Sequence, residues 1–557
     1  MQIAYFGYYL EEGLRQLGHE VCPLPLTKGA NLETLISNHC PGADFVLLEL
    51  FGGNFPFVDM VCCKYRLVLY CIDSPLNEFW LEHITKLADD VFLDQRSSLE
   101  VLAGAGIRSA WLPLCVYERD FRGRKAPQHD ISFVGTINAQ RVKRANILRC
   151  IEERFSLNVQ NNVSHARMQD IFSESKISIN ENLFYGLTLR VLQGMAAGTV
   201  LFTEANYTDV HGIFEDGKEL VCYEPDTLLP RLTDVLENYP DYIQVASAGQ
   251  ELCRLRHTSK VRAVELLEHI RQENASNQRR SNAERRYHFA CAEYLFSVRF
   301  GGYIGGARKV FQEILDSGEP DAFVGKAALM LGDIYARLEY PQEACQLYDI
   351  SVEKDGSMEG AIKSAIVCCG EKNYLAAMRN LKRAIRMAAP PATKKPAGAS
   401  GESSTEPSVA TLDRPPMVLP IELADAMVLL LDDPQNQSKE SLLLFLAARL
   451  FFEMGKINTL GFLGSQKDAV PGAALPLAFK AWESENSAEI LDFMLACARK
   501  AGVEIELLPT LVSAIYGLTA ERRHIVCAAE LAYKNYDKHL SETLVANMRK
   551  FGKSSLL

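Results

Sequence analysis

Seven cations crowd into one stretch of an otherwise acidic chain: Arg122, Arg124, Lys125, Arg141, Lys143, Arg144 and Arg149. Within it, Phe133-Val134-Gly135-Thr136 reads as a strand end opening into a helix, with Val142, Ala145, Leu148 and Ile151 as the helix's apolar stripe. Arg141 and Arg144 fall off that stripe near the helix start. Guanidinium groups beside helix N-terminal amides suit a diphosphate. The competing reading is a solvated linker and helix face, the usual fate of a charge run. A second candidate is Gly186-Leu187-Thr188-Leu189-Arg190-Val191-Leu192-Gln193-Gly194-Met195-Ala196-Ala197-Gly198. Gly186 permits a tight approach into the helix, Thr188 can cap it or meet an anion, and Gly198 can close it in a left-handed conformation. Arg190 and Gln193, three apart, share a face. Taken bare, the segment is also an ordinary well-capped amphipathic helix.

Asp73, in Cys71-Ile72-Asp73-Ser74-Pro75, follows a strand pattern where α/β sheets present side chains to a cleft. Its carboxylate can take a hydroxyl proton or orient the hydroxyl; the alternative is a cap for the next helix. Asp94 is a similar, poorer candidate. His19 lies in a helix-to-strand turn and reads as structural, and His83 and His211 have no partner legible in the sequence.

These residues need elements to hold them. Strand patterns at Ile3–Phe6, Phe45–Leu48, Leu67–Ile72, Val91–Leu93 and Ala110–Leu112 alternate with helix patterns at Leu10–Leu17, Leu32–Asn38 and Ser97–Ala103. A second alternation runs through Ile131–Gly135, Ile177–Asn180, Val200–Thr203 and Glu219–Tyr223, with helices at Asn138–Glu153, His165–Ser173 and Thr188–Ala197. Alternating strands and helices mean mostly parallel sheets, with ligand sites outside the strands' carboxyl ends. Beyond residue 280 the strand pattern stops. Leu331, Gly332, Tyr335, Ala344, Tyr348 and Ser351 have tetratricopeptide-like spacing, flanked by weaker units at Ala307, Phe311, Ile314 and at Ala377, Leu381, Ala384. Asp333 and Arg337 fall off the apolar pattern and are candidates for a concave surface. The expected division is 1–118, an N-terminal Rossmann-like domain; 128–272, a second one; 281–388, helical repeats; 389–417, a flexible Pro/Ala/Ser-rich linker; and 418–557, a C-terminal helical domain.

Composition narrows the function class. The 557 residues carry 59 Lys and Arg against 70 Asp and Glu, a formal charge of −11, which disfavours general nucleic-acid binding by phosphate neutralisation. A hydrophobic fraction of 48% and a charged fraction of 23% are ordinary globular values. Fifteen scattered cysteines without CxxC spacing fit free thiols in a reducing, cytoplasmic setting. The opening Met1–Phe6 lacks a signal-peptide pattern, and the apolar run Ser441–Glu453 is too short for a membrane span, so none is expected.

Taken in order, YCIDSP, VFLDQ, WLPLCVYERDF, FVGT with the following Arg141, TLRVLQGMAAG, LFTEA and GIFEDGKELVCY resemble the GT-B glycosyltransferases, in particular those similar to spore-maturation-protein glycosyltransferases. The resemblance covers about residues 1 to 272. It implies an α/β plus all-α fold: two Rossmann-like domains in GT-B arrangement, followed by the helical repeat region and a C-terminal helical unit. It also implies transfer of a sugar from a nucleoside-diphosphate sugar, held mainly on the second domain, to an acceptor held mainly on the first, either a protein or a cell-surface glycan precursor. Arg141 and Arg190, with the amides around Gly135, Thr136, Gly186 and Thr188, would hold the diphosphate without a metal or other cofactor. Gln193 stands where the family usually has a glutamate that grips both ribose hydroxyls; an amide offers one acceptor oxygen and one donor group, so that grip is altered. Glu204 can compensate, or be a plain surface carboxylate. Asp73 would act on the acceptor. The repeats would recruit a protein acceptor or partner. Two rivals stay open: a catalytically weakened transferase-like scaffold for protein interaction, and a GT-B-shaped epimerase.

Overall fold

Runs such as Phe45–Phe51 and Leu67–Ile72 are apolar at nearly every position, the pattern of strands covered on both faces. The computed structural model describes residues 1–137, 141–182, 186–205, 208–272, 277, 280–317, 323–388, 419–436, 439–457, 473–503, 507, 508, 510, 512 and 522–554. The expected linker at 389–417 lies outside the described residues. The first sheet comprises β1 (Gln2–Phe6), β2 (Glu20–Pro23), β3 (Phe45–Phe51), β4 (Leu67–Ile72), β5 (Asp90–Leu93) and β6 (Ala110–Trp111). Its strands pair in parallel in the order β2-β1-β3-β4-β5-β6. The second comprises β7 (His129–Val134), β8 (Leu157–Gln160), β9 (Ser175–Ile179), β10 (Val200–Glu204) and β11 (Val221–Tyr223), also parallel, in the order β8-β7-β9-β10-β11.

Both sheets are wound alike. In each, the second strand lies outside the first and the third lies on the other side. The loops leaving β1 and β3, and those leaving β7 and β9, therefore part and open a crevice at the carboxyl ends. The helices that matter for those crevices are α1 (Glu11–Gln16), α2 (Leu32–His39), α3 (Ser74–Ile84), α4 (Ser97–Gly104), α5 (Val142–Glu152), α6 (His165–Ser173) and α7 (Leu189–Ala196). α7 ends at Gly198, held at φ 78°, a conformation that only glycine takes without strain.

The two sheets belong to one compact unit, which holds residues 1–307 and 525–557; residues 308–524 form the other. The polypeptide crosses between the sheets twice, and the crossings are stitched together: Val116 N donates to His257 O at 2.9 Å, and Ser259 N to Val116 O at 2.8 Å. After the second crossing, Ser259–Gln272 packs on α1. Asn282–Phe300, expected with the helical repeats, instead packs on the first sheet's core. Its Ala292 and Phe296 join that core, and its buried Arg285 donates to the carbonyls of Val61, Leu87 and Met60 at 2.7, 2.7 and 2.9 Å. The end of the chain differs in the same way: Tyr536 is buried in the core of the second sheet, with Tyr223 and Ile147.

In the other unit, neighbouring helices Val324–Arg337, Pro341–Asp355, Met358–Gly370 and Tyr374–Ala388 pack in succession. Gly332 allows a close approach; a Cβ there would sit 2.6 Å from the Tyr348 ring. Asp333, expected on a surface, is buried. It accepts from Tyr348 Oη at 2.9 Å and pairs with Lys363 Nζ at 2.5 Å, so an off-pattern polar residue here marks an internal ion pair. Among the described residues, no helix is long and apolar enough to cross a membrane.

Candidate functional site

The crevice between β1 and β3 is filled from within. Glu49, buried on β3, accepts from Tyr8 N, Tyr9 N and Leu10 N at 2.6, 2.8 and 2.9 Å, and from Tyr5 Oη at 2.7 Å. Gly7 must be glycine, because a Cβ would meet the Glu49 carboxylate at 2.5 Å. The amides that could greet a phosphate are taken by the protein's own carboxylate. Burial raises the Glu49 pKa, and these hydrogen bonds oppose the rise.

The matching crevice in the second sheet has the opposite character. α5 delivers Arg141, Lys143 and Arg144 at its first turn, and α7 delivers Arg190. Arg190 Nε donates to Val134 O at 2.9 Å and Nη1 to Asn180 Oδ1 at 3.2 Å, with the guanidinium 5.0 Å from the Phe133 ring centre. Arg144 donates to Thr136 O at 2.6 Å and to Glu181 at 2.9 Å. Lys143 pairs with Glu204 at 3.0 Å and lies 3.7 Å from Glu181. These four cations gather at a strand-end crevice with Glu181 and Glu204 among them. The crowding registers on Arg190: burial first, then the Arg144 and Arg141 charges, push its pKa down to about 10. A bound anion would relieve it.

A buried latch ties this crevice to the first domain. Asp94 accepts from Asp73 N, Ser74 N and Ser74 Oγ at 2.9, 3.0 and 2.7 Å. Beside it, Gln95 Nε2 donates to Asp94 at 3.0 Å and to Leu187 O at 2.9 Å, while Gln95 Oε1 accepts from Leu187 N at 2.9 Å. Asp94 thus fixes the turn before α3, and Gln95 fixes the approach to α7. Asp73 itself sits at φ 52°, a left-handed conformation uncommon for an aspartate, and its side chain does not cap α3. Burial and the neighbouring Asp94 push its pKa up to about 7, with Arg141 across the cleft opposing the rise. A carboxyl with that value can carry or accept a proton near neutrality. Tyr9 lies near it and meets Tyr8 and Phe51, both exposed, edge to face.

The expected residues take these places. Arg141, Arg190, Thr188, Gly135 and Thr136 all border the second crevice, but the details differ from expectation. Thr188 does not cap α7; its hydroxyl donates to Asn180 Oδ1 at 3.0 Å. The Gly135 amide is already given to Gln160 O at 3.0 Å, and Gly135 is glycine because a Cβ would lie 2.5 Å from Arg190 Nη2. Gly186 is pressed by the Gln95 side chain, so its small size serves the contact between the domains. Gln193 is buried one turn after Arg190. Glu204 is held by Lys143 and accepts from Asn182 N at 3.0 Å. Asn180, the common partner of Thr188 and Arg190, was not singled out from the sequence, although its place at a strand end was a signal. Gln95 and Glu49 gave none, since their roles depend on distant partners. Among the described residues, no group of three His, Cys, Asp or Glu side chains could hold a metal ion.

Comparison with known proteins adds one local match. Residues 123–268, the second sheet and its helices, match a family described as glycosyl transferase-like. No curated protein matches the chain. Among solved structures, a sucrose-phosphate synthase from Thermosynechococcus elongatus is similar at 10% identity and a TM-score of 0.35, over 49% of this chain and 98% of that one. The Anabaena protein HepE in complex with UDP-glucose is similar at 9% identity and a TM-score of 0.36, over 49% and 100%. An alpha-glucosyltransferase in complex with UDP and a 13-mer DNA gives 12% identity and 0.36, over 49% and 100%.

Proposed function

We propose that the protein is a GT-B glycosyltransferase that moves a sugar from a nucleoside-diphosphate sugar to an acceptor hydroxyl. One observation carries the reading: of two crevices with the same winding, the first is filled by Glu49 and the second, inside the glycosyl transferase-like stretch, crowds Arg190 against Arg144 and Arg141. The donor's diphosphate lies against Arg141 and Arg190, its charge offsetting their mutual repulsion. As the bond to the anomeric carbon breaks, charge grows on the leaving diphosphate, and fixed guanidinium groups stabilise it more than the ground state. The reading gives that task to arginine and not to a metal ion. Asp73, on the other wall, takes the proton of the acceptor hydroxyl. Gln193 faces the ribose in place of the glutamate usual in the family. The proposal includes the spore-maturation-like subgroup, a cytoplasmic setting, and a role for the helical unit in recruiting a protein acceptor or partner.

A thermal-shift screen against a panel of nucleoside diphosphates and their sugar esters tests it, because a ligand selective for the native state raises the melting temperature. No shift with any member, at concentrations up to several millimolar, would refute the donor site. One feature favours a second reading, a weakened transferase-like scaffold: Glu204, the carboxylate expected to compensate for the missing glutamate, is paired with Lys143. Donor binding without hydrolysis or transfer would select it.

A further inference from the structure

The arginines of the second crevice are braced from behind by residues more than three hundred positions away. The turn between helices Arg522–Lys534 and Lys538–Ser554 inserts into the second domain. Asn535 O accepts from Asn146 Nδ2 at 2.9 Å, and Tyr536 O from Cys150 Sγ at 3.7 Å, both on α5. The Tyr536 ring, 6% exposed, meets the Tyr223 ring edge to face at a centroid distance of 6.2 Å. Tyr223 Oη in turn donates to Asn180 O at 2.8 Å. Asn180 is the residue whose side chain holds Thr188 and Arg190. A single turn therefore touches both walls: α5, which carries Arg141 and Arg144 at its head, and the β9 end, which fixes Arg190. Tyr536 makes this contact at φ 59°, a conformation a bulky residue keeps only when its surroundings hold it there.

We infer that Asn535–Tyr536 is a positioning element of the donor site, so that binding of a nucleoside diphosphate depends on the end of the chain. The inference rests on the donor reading above. Tyr536 touches no substrate; it acts through Tyr223 and Asn180 on one side and through α5 on the other. Tyr536→Phe keeps the ring and its edge-to-face contact, whereas Tyr536→Leu removes the flat face while still filling much of the volume.

The test compares both variants with the wild-type full-length chain by titration calorimetry with UDP, GDP, ADP and CDP, and by hydrogen exchange of the ligand-free proteins. In Tyr536→Leu, the dissociation constant of the nucleotide that binds wild type should rise about two- to thirtyfold, the range for substitutions along a contact network, with unchanged stoichiometry. Tyr536→Phe should match wild type. An unchanged constant overturns the inference, and a fall in stoichiometry alone shows that the turn serves only to keep the domain folded. Exchange in peptides covering Asn180 and Leu187–Val191 should quicken in Tyr536→Leu while the first sheet is unaffected; unaltered exchange there also overturns it. If wild type binds none of the four nucleotides, the donor reading fails, and the exchange result still decides whether the turn positions Arg190.

Discussion

Arg190→Ala isolates the charge at the centre of the proposed donor site. The guanidinium makes two hydrogen bonds, to Val134 O and Asn180 Oδ1, and shares its surroundings with Arg144 and Arg141. A pKa pushed down from the ordinary guanidinium range to about 10 corresponds to roughly 3 kcal/mol of unfavourable burial and charge repulsion in the unliganded protein. Removing Arg190 removes that penalty together with its two bonds, each contributing about 0.5–1.5 kcal/mol, so the apoprotein should lose little stability. The bound state is different. A charge-assisted contact to a diphosphate is worth about 1.5–3 kcal/mol, or roughly ten- to a hundredfold in affinity. Calorimetry should show that loss while the melting temperature of the free protein moves by only a few degrees. Arg190→Lys should recover part of the affinity, since it restores charge without the planar fork. An Arg190→Ala protein that is folded and binds nucleoside diphosphate as tightly as wild type refutes the assignment.

Asp73→Asn should abolish transfer while sparing donor binding, and in wild type kcat/KM should rise with pH through about 7 as the carboxyl ionises. The stability effect has the opposite sense: the folded pKa is raised, so stability is full below the ordinary carboxyl value and declines as pH climbs through about 7. The melting advantage of Asp73→Asn should therefore widen from pH 5 to pH 8. Gln193→Glu should tighten donor binding or raise turnover, since a carboxylate offers two strong acceptors to the ribose; unchanged kinetics and affinity would count against Gln193 facing the nucleotide. Asp333→Ala should cost about 1–3 kcal/mol by removing one of the two carboxylates that hold buried Lys363, the other being Glu359 at 2.9 Å, and the acceptor of Tyr348 Oη, seen as a lowered denaturation midpoint of the helical unit, with donor affinity unchanged.

Strands with two covered faces were legible because a short, unbroken apolar run between turn residues suits little but a buried strand, as at Leu67–Ile72. The edge strands β2 and β8 were not, because their partly exposed residues mix polar with apolar. Arg141 and Arg190 could be singled out by type and place, since cations at strand-to-helix junctions suggest an anion. What each does next was illegible. The Gly135 amide is spent on Gln160, and Gly186 is small for Gln95, a residue 91 positions earlier. Asp333 shows the same limit: a polar residue off the apolar stripe reads as surface until Lys363, one helix pair later, supplies its counter-charge.

The path of the chain gives the helical unit a further significance. It leaves the two-sheet unit after Ala307 and returns to it at Ile525. On the departing side, Asn282–Phe300 is fastened to the first domain by the three hydrogen bonds of Arg285 and by Ala292 and Phe296. On the returning side, Asn535–Tyr536 is fastened to the second domain. The transferase core implied by the sequence, ending near residue 272, would therefore expose the apolar surface that Phe296 and Tyr536 cover. Losing a buried aromatic of that size costs about 3–5 kcal/mol, a large part of a domain's net stability. A helical unit appended for recruitment could be removed without harm; one inserted between segments that complete the two Rossmann-like domains cannot be cut away with everything that follows. Any activity lost on truncation would then report on the donor and acceptor walls as much as on partner binding, so substitutions inside residues 308–524 are the cleaner probe of recruitment.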